Sequence, residues 1–371
     1  MLHLSKDFNL KEWISSVILL VPSRLPLLAR AQKGSQLESD EISFYTTKQI
    51  PRTGVVKGQV EIGGTSIVVN EELANRLTEG YILMHADELI KVKSVDKSTK
   101  TLTVERGYAN TPAALIKKDA VIKILSKAEA EGKITEDFHK LEKVRSTNVA
   151  QTFTKSIYVS KDAAALQKKN YIDMLQEERV GKIDEEGIEM NTTLYYGRKK
   201  ISEDGRRTMG GWKEAITTDG GIVFGADKNL TEEQFENVLV SIASKQGKPT
   251  TIFLNAVTKA KTFKKFKNAV TATPDSQSNM KAGGILTGYL SDALGYELKF
   301  EIDECVQTGD IFIGVGEPII HVMEDVEEKV DVLFQNCKEP SNSSVINETL
   351  KSTITSEFQN AYQDAYISNA C

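Results

Sequence analysis

The chain has 371 residues, of which 40% are apolar and 27% charged, with a formal net charge of −5. That is the mix of a globular protein too long for one small domain, and it lacks the basic balance that recruits nucleic acid through an overall field. Three cysteines, Cys305, Cys337 and Cys371, match neither a metal-site spacing nor a disulfide framework, which points to a reducing compartment.

At the N-terminus, Trp13 to Val21 is apolar and Ala29-Arg30-Ala31 has the form of a signal-peptidase site. Asp7 and Glu12 spoil the basic leader, and Pro22, Arg24 and Pro26 break the apolar run. The stretch therefore reads against secretion, and no run reaches the ~20 apolar residues of a membrane span. Residues 1–45 read instead as a short amphipathic helix and a Pro-interrupted arm. Leu19, Leu20, Val21, Leu25, Leu27 and Leu28 are too apolar to stay in water and should pack on other segments or on a second chain.

Residues 46–57 form a polar connector. A β module follows, with strands expected at Ile67-Val68-Val69, Tyr81 to His85, Glu88 to Val95, Thr101 to Glu105 and Val121 to Leu125. Alternation in Ile90, Val92 and Val95 and the turn Asp96-Lys97-Ser98-Thr99-Lys100 support a hairpin there. Short strands at near-regular spacing suggest a small barrel or sandwich. Residues 126–147 are charged and read as helix or irregular chain.

Thr152 to Val159 alternates, placing Phe153, Ile157 and Val159 on one strand face. A long charged helix follows. Tyr171, Leu175, Ile183, Gly187, Met190 and Leu194 recur mostly at three and four and should line its buried face. Glu177, Glu178, Lys182, Asp184, Glu185 and Glu189 should line the other.

Gly197 to Gly225 holds Gly205, Gly210, Gly211, Gly220 and Gly221 and reads as a long mobile loop. Asn229 is placed to cap a helix that Gly247 ends. Thr251 to Asn255 reads as a strand, Ala260 to Val270 as a basic helix, and Thr271 to Gly284 as a linker. Leu286 to Leu290, Tyr296 to Ile302 and Asp310 to Val315 read as strands. From Asn336 the chain reads as a polar tail ending in a weak helix.

Several local patterns have a functional and a plainer reading. The pairs Gly220-Gly221 and Gly283-Gly284 fit no phosphate-binding fingerprint and read as loops. His85 beside Asp87 and Glu88 could seat a metal, but an isolated hairpin histidine is the simpler reading. The clusters Glu177-Glu178 and Asp184-Glu185-Glu186 could be catalytic carboxylates, yet no nucleophile or oxyanion loop accompanies them. Lys259, Lys261, Lys264, Lys265 and Lys267 interleave with Phe263 and Phe266. A nucleic-acid surface is conceivable there, but buried phenylalanines with solvated lysines account for the spacing. Asn191, Asn342 and Asn347 open glycosylation sequons, which read as chance matches without a secretion signal. No catalytic, cofactor-binding or metal-binding residue is assigned.

Asn148-Val-Ala-Gln-Thr-Phe-Thr-Lys-Ser-Ile-Tyr-Val-Ser160 resembles the N-Y-T-Q-I-F-x-K-x-V-x-V-S-G signature of one family of tailed-phage major capsid proteins. Val149 and Ala150 replace the aromatic and the threonine, and Lys161 replaces the glycine. The helix through Glu177 and Asp184 to Tyr195 is similar to that family's spine helix. The segment from Thr101 to Ala114 and then Ala130-Glu131-Gly132 resembles its small β insertion. Leu230 to Gly247 with Thr251 to Asn255, and Leu290 to Val315, resemble its axial-domain elements. The resemblance covers most of residues 14–325.

The resemblance implies an α+β fold of the Hong Kong 97 type. Residues 1–45 would be the N-terminal arm, and 46–160 an extended loop carrying a β insertion at about 58–125. Residues 161–210 would be the peripheral domain's spine helix, 211–335 the axial domain with returning peripheral strands, and 336–371 a C-terminal tail. It implies a structural, non-enzymatic protein that self-assembles into the hexamers and pentamers of an icosahedral shell. The shell would enclose double-stranded DNA without sequence-specific binding. Portal and scaffold or decoration proteins would be further partners, with no membrane, and assembly would take place in the host cytoplasm before incorporation in the virion. Arg206, Arg207, Glu185, Glu186, Leu27 and Leu28 are the expected intersubunit contacts, with the two arginines facing a neighbour's Glu185-Glu186 stripe. The alternative is a phage-derived carbohydrate- or nucleic-acid-binding module using the β insertion.

Overall fold

Phe153 and Ile157, two sites of one strand face, are buried in the ten-residue strand Gln151–Ser160. The computed structural model describes residues 25–37, 39–47, 52–128, 143–160, 174–272, 285–323, 334–336 and 345–371. Two compact units emerge: residues 1–46 together with 144–371, and residues 47–143.

In the first unit, Gln151–Ser160 pairs antiparallel with the thirteen-residue strand Val345–Glu357. Phe153 faces Ser352 and Lys155 faces Leu350 across the ladder. Val345–Glu357 also pairs with Ile319–Met323, which in turn pairs parallel with Gln32–Leu37. The helix Met174–Tyr196 packs on Gln151–Ser160. Its buried residues Ile183, Glu186, Gly187, Met190, Asn191, Leu194 and Tyr195 recur at helical spacing. The expected face thus holds from Ile183 to Leu194, while Tyr171 and the side chain of Leu175 lie outside the described residues. Glu186 sits on the buried face and is fully covered, so it does not extend an exposed stripe with Glu185.

A seven-stranded sheet completes the unit, in the order Ile222–Gly225, Ala365–Ser368, Ile311–Gly314, Thr251–Leu254, Glu297–Ile302, Ile285–Leu290, Ala269–Ala272. Thr251–Leu254 and Ile311–Gly314 are buried at every position, which is why both read as unbroken apolar runs rather than alternating ones. The helix Glu232–Ser244 lays Phe235, Val238, Leu239 and Ile242 on one core. Trp212 lies in the other, with the rings of Tyr195, Phe253, Phe312 and Phe358 5.4–6.2 Å away. Full burial of such side chains stabilises by roughly 1.5–3 kcal/mol each.

Several sequence expectations are corrected here. Residues 336–371 are not a tail ending in a helix: Val345–Glu357 and Ala365–Ser368 are internal strands of the two sheets. Serines and threonines in these strands fit buried or pleated positions, and they masked the pattern. Pro26 does not prevent a helix but starts one, Pro26–Arg30, because proline is tolerated where the first N–H has no intrahelical partner. Leu25, Leu27 and Leu28 are 0–1% exposed within this core, so they pack on other segments of the same chain, as their apolar character requires. Residues 197–225 are not one long loop. They form the ribbon Lys200–Ile201/Arg207–Thr208, the helix Trp212–Thr218 and the strand Ile222–Gly225. A Cβ on Gly211 would lie 2.6 Å from the carbonyl oxygen of Thr193, so this glycine serves close packing. Residues 260–270 divide into the end of the helix Ala256–Lys261, a 3-10 turn Phe263–Lys265 and the start of Ala269–Ala272. The helix cap at 229 is instead Thr231, in a reciprocal capping box with Gln234.

The second unit is a six-stranded sheet in the order Thr53–Val55, Val121–Lys127, Tyr81–His85, Glu88–Asp96, Thr101–Glu105, Ser66–Val68. It closes on itself: Val56 bridges Val69, the Lys57 N–H donates to Val68 O at 2.8 Å, and the Asn70 N–H donates to Val55 O at 3.0 Å. Closure pairs edges that an open sheet would expose. Val56, Ile67, Leu73, Leu83, Ile90, Val92, Leu102 and Ile122 fill the inside. Glu88 is buried as the acceptor of a two-pronged Arg106 bond at 2.6 and 2.8 Å. Burial pushes its carboxyl up, but Arg106 and the N–H groups of Ala114 and Gly107 more than offset this and leave it below its usual range. His85 Nδ1 lies 3.3 Å from Val121 O.

Candidate functional site

The segment that opens at Asn148 is a structural hub. Asn148 is buried. Its amide donates to Gly210 O at 2.9 Å and Ser356 O at 2.8 Å, while its oxygen accepts from the Gly210 N–H at 2.7 Å. Three residues on, Gln151 Oε1 accepts from the Met209 N–H at 3.0 Å. The two polar side chains thus fasten the Met209–Gly211 turn and the strand Val345–Glu357 to the start of Gln151–Ser160. Sequence reading singled out this segment but not the role of Asn148 and Gln151.

The six expected contact residues fall in four places. Leu27 and Leu28 are core residues, and the Leu28 N–H donates to Asn191 Oδ1 at 3.1 Å. Asn191 in turn donates to Asp303 at 2.9 Å, which also accepts from the Tyr195 hydroxyl at 2.9 Å. Glu185 is exposed on the helix and accepts from Lys155 and Lys182, each at 2.8 Å. Those two ammonium groups, Lys155 first, hold its carboxyl down to about 2.

Glu186 is buried, and among the described residues neither of its carboxyl oxygens meets a hydrogen-bond partner in good geometry, although the Ser352 hydroxyl lies near. Burial pushes it up to about 7, which Ser352 and Lys155 only partly oppose. Arg207 pairs with Asp40 of the same chain, and Arg206, with 87% of its side chain exposed, pairs with Asp204 at 3.0 Å. The structure does not bring the arginines to Glu185 or Glu186 within the chain.

Exposed surface concentrates elsewhere in this unit. Thr152, Thr154, Ser156 and Tyr158 point away from the core along Gln151–Ser160, and Tyr158 is 75% exposed. Ile201 in the ribbon is 61% exposed, and Val180 and Ile188 on the long helix are each 37% exposed. The lysines around Phe263 remain at the surface while Phe263 and Phe266 are buried against Phe235 and Tyr289. A cavity of 280 Å³ collects Lys228, Lys261, Lys264 and Lys265 with Thr262 and Cys371, without a carboxylate or imidazole side chain in its wall. Among the described residues, no cluster of histidine, cysteine and carboxylates could hold a metal ion, and no helix is long and apolar enough to cross a membrane.

A model of the SU10 major capsid protein family matches residues 3–315. No curated protein matches the chain in sequence. Among solved structures, the chain is similar to one from Microbacterium phage Oxtober96 at 9% identity and a TM-score of 0.47, covering 93% of this chain and 91% of that one. A structure from Mycobacterium phage Adephagia is similar at 12% identity and a TM-score of 0.43, covering 93% and 90%. The capsid asymmetric unit of cyanophage A-1(L) is similar at 9% identity and a TM-score of 0.47, covering 66% and 85%. The family match carries the assignment, and the structural likenesses are loose.

Proposed function

The chain belongs to the SU10 major capsid protein family, and from that premise we propose that it builds the hexamers and pentamers of an icosahedral shell around double-stranded DNA. It is a major capsid protein, a structural component of a phage virion made of many copies of itself. Its fold is the α+β Hong Kong 97 type, with the helix Met174–Tyr196 laid on the paired strands Gln151–Ser160 and Val345–Glu357.

The family match over residues 3–315 is the observation that carries the proposal. The extended loop expected at 46–160 is assigned to unit 47–143, with the β insertion at about 58–125 inside it, since residues 144–160 belong to the first unit. Arg206 and Glu185, the exposed members of the expected contact set, are assigned to rims between subunits. Assembly takes place in the host cytoplasm, with portal and scaffold or decoration proteins as further partners.

The test is expression of the full chain, followed by size-exclusion chromatography and negative-stain microscopy. Closed shells or capsomer rings are expected. A monodisperse monomer that assembles under no condition of salt, pH or concentration would overturn the reading.

A further inference from the structure

His321 stands where the strand Ile319–Met323 lies between Gln32–Leu37 and Val345–Glu357. Its residue is 9% exposed. Both ring nitrogens meet acceptors: Nδ1 lies 3.0 Å from the Ser35 carbonyl oxygen, and Nε2 lies 3.1 Å from Glu357 Oε2. A neutral imidazole has one N–H and can donate to only one of them, whereas the imidazolium donates to both. The ring also occupies a place made for it. A Cβ on Gly34 would lie 2.4 Å from the ring, and the parallel ladder slips between Lys33 and Gln36, which turns the Ser35 carbonyl inward.

We propose that His321 is a proton-operated clasp that fastens the strand Gln32–Leu37 to its sheet, closed when the ring carries two protons and opened when it loses one. Among the described residues few groups face the ring. From Gln32–Leu37 come Gly34 and Ser35, whose hydroxyl lies 3.3 Å from Nδ1. From Val345–Glu357 comes Glu357, whose other oxygen accepts from Gln359 at 2.7 Å. Glu357 is the one charged partner of the ring among the described residues.

The Glu357 carboxylate, then the Ser35 carbonyl, raise His321 above the ordinary histidine range against the opposing effect of burial. The stabilisation is therefore complete below the ordinary value and lost as pH rises through the raised one. Among the described residues the strand is otherwise held on one side only, as the last in its sheet. Losing the Ser35 contact thus loosens a segment that has no second strand neighbour among the described residues.

Hydrogen–deuterium exchange mass spectrometry on the full chain reads both halves of the mechanism. Exchange at the histidine Cε1 gives the midpoint of His321, and backbone exchange in peptides covering 32–37, corrected for intrinsic rates, gives the strand's protection. The midpoint should lie above 6.5, the ordinary histidine value, and protection should fall across it. In Glu357→Gln the midpoint should drop and the fall in protection should move with it. Ser35→Ala separates the carbonyl contact from the hydroxyl: it removes the hydroxyl donor and should leave the fall in place. Protection that is flat across the His321 midpoint, or that does not follow it in Glu357→Gln, would overturn the clasp.

Discussion

At the residue scale, two buried polar side chains carry opposite energetic consequences. Asn148 satisfies both a donor and an acceptor of Gly210 as well as Ser356 O. Asn148→Ala removes the partner of the Gly210 N–H and a donor to Ser356 O, while Gly210 O keeps the Ser356 hydroxyl at 3.0 Å, so it should cost about 1–3 kcal/mol. Urea unfolding of the unassembled subunit measures this, and a loss below about 0.5 kcal/mol would show that water replaces the amide. Glu186 is the reverse case, a buried carboxyl whose oxygens meet no well-aligned partner among the described residues, raised to about 7 by burial. Because its folded-state value lies above the unfolded one, its protonated form favours the fold. That contribution is complete below the unfolded value and lost as pH rises through about 7. Glu186→Gln removes the titration. Its stability relative to the parent should grow between pH 4 and pH 8 by an amount on the order of 3 kcal/mol. An offset that is constant with pH would mean that Glu186 is ionised and solvated in the fold. Neither role was legible in the sequence. Asn148 stands out only as the first residue of the segment that resembles a capsid signature, and Glu186 looks like a member of a charged run because a single buried carboxylate has no signature of its own.

At the scale of elements, helices and strands with unmixed periodicity were legible and composite segments were not. The long helix and the strand before it follow from apolar spacing, because one solvent boundary runs along each. The C-terminal strands were hidden for a physical reason. In Val345–Glu357, Ser352, Thr355 and Ser356 are buried polar positions, so burial there does not coincide with apolar character. In Ala365–Ser368 the short strand lies between Ile222–Gly225 and Ile311–Gly314, and Asp364 before it accepts from the Trp212 indole N–H and the Val315 N–H, each at 2.8 Å. Deleting residues 358–371 therefore removes an internal strand, the Phe358 ring and the partner of Trp212 together. The truncated chain should lose its cooperative calorimetric transition for this unit or become insoluble. A deletion variant that keeps the parent Tm and near-ultraviolet circular dichroism would return residues 358–371 to the status of a dispensable tail. The glycines between 197 and 225 misled in the opposite direction. Gly211 is required by a close backbone approach and Gly205, at φ 82°, by the turn of a short ribbon, so a high glycine count here marks tight packing rather than looseness.

At the scale of the whole molecule, the division into two units sets a prediction for the smaller one. Thr53–Val55 pairs with Val121–Lys127, and the Ile124 N–H donates to Arg52 O at 2.8 Å, so the chain enters and leaves this unit on adjacent strands. The sheet between these ends closes through the Val56–Val69 bridge and encloses its own core. The buried Glu88–Arg106 pair ties the excursion around Gly107 and Ala114 to the same barrel. This organisation meets the requirements of a segment that folds by itself: paired ends, no free central edge and a contiguous apolar interior. Near the lower size limit for such a domain, stability should be modest. The isolated fragment 52–128 should therefore show dispersed amide chemical shifts and a single cooperative thermal transition. Glu88→Gln should lower the transition temperature of the fragment by several degrees, because it leaves the Arg106 guanidinium buried without its charge partner. If the fragment shows collapsed amide dispersion and no transition, its strands need the rest of the chain, and its assignment as an insertion in the extended loop fails with it.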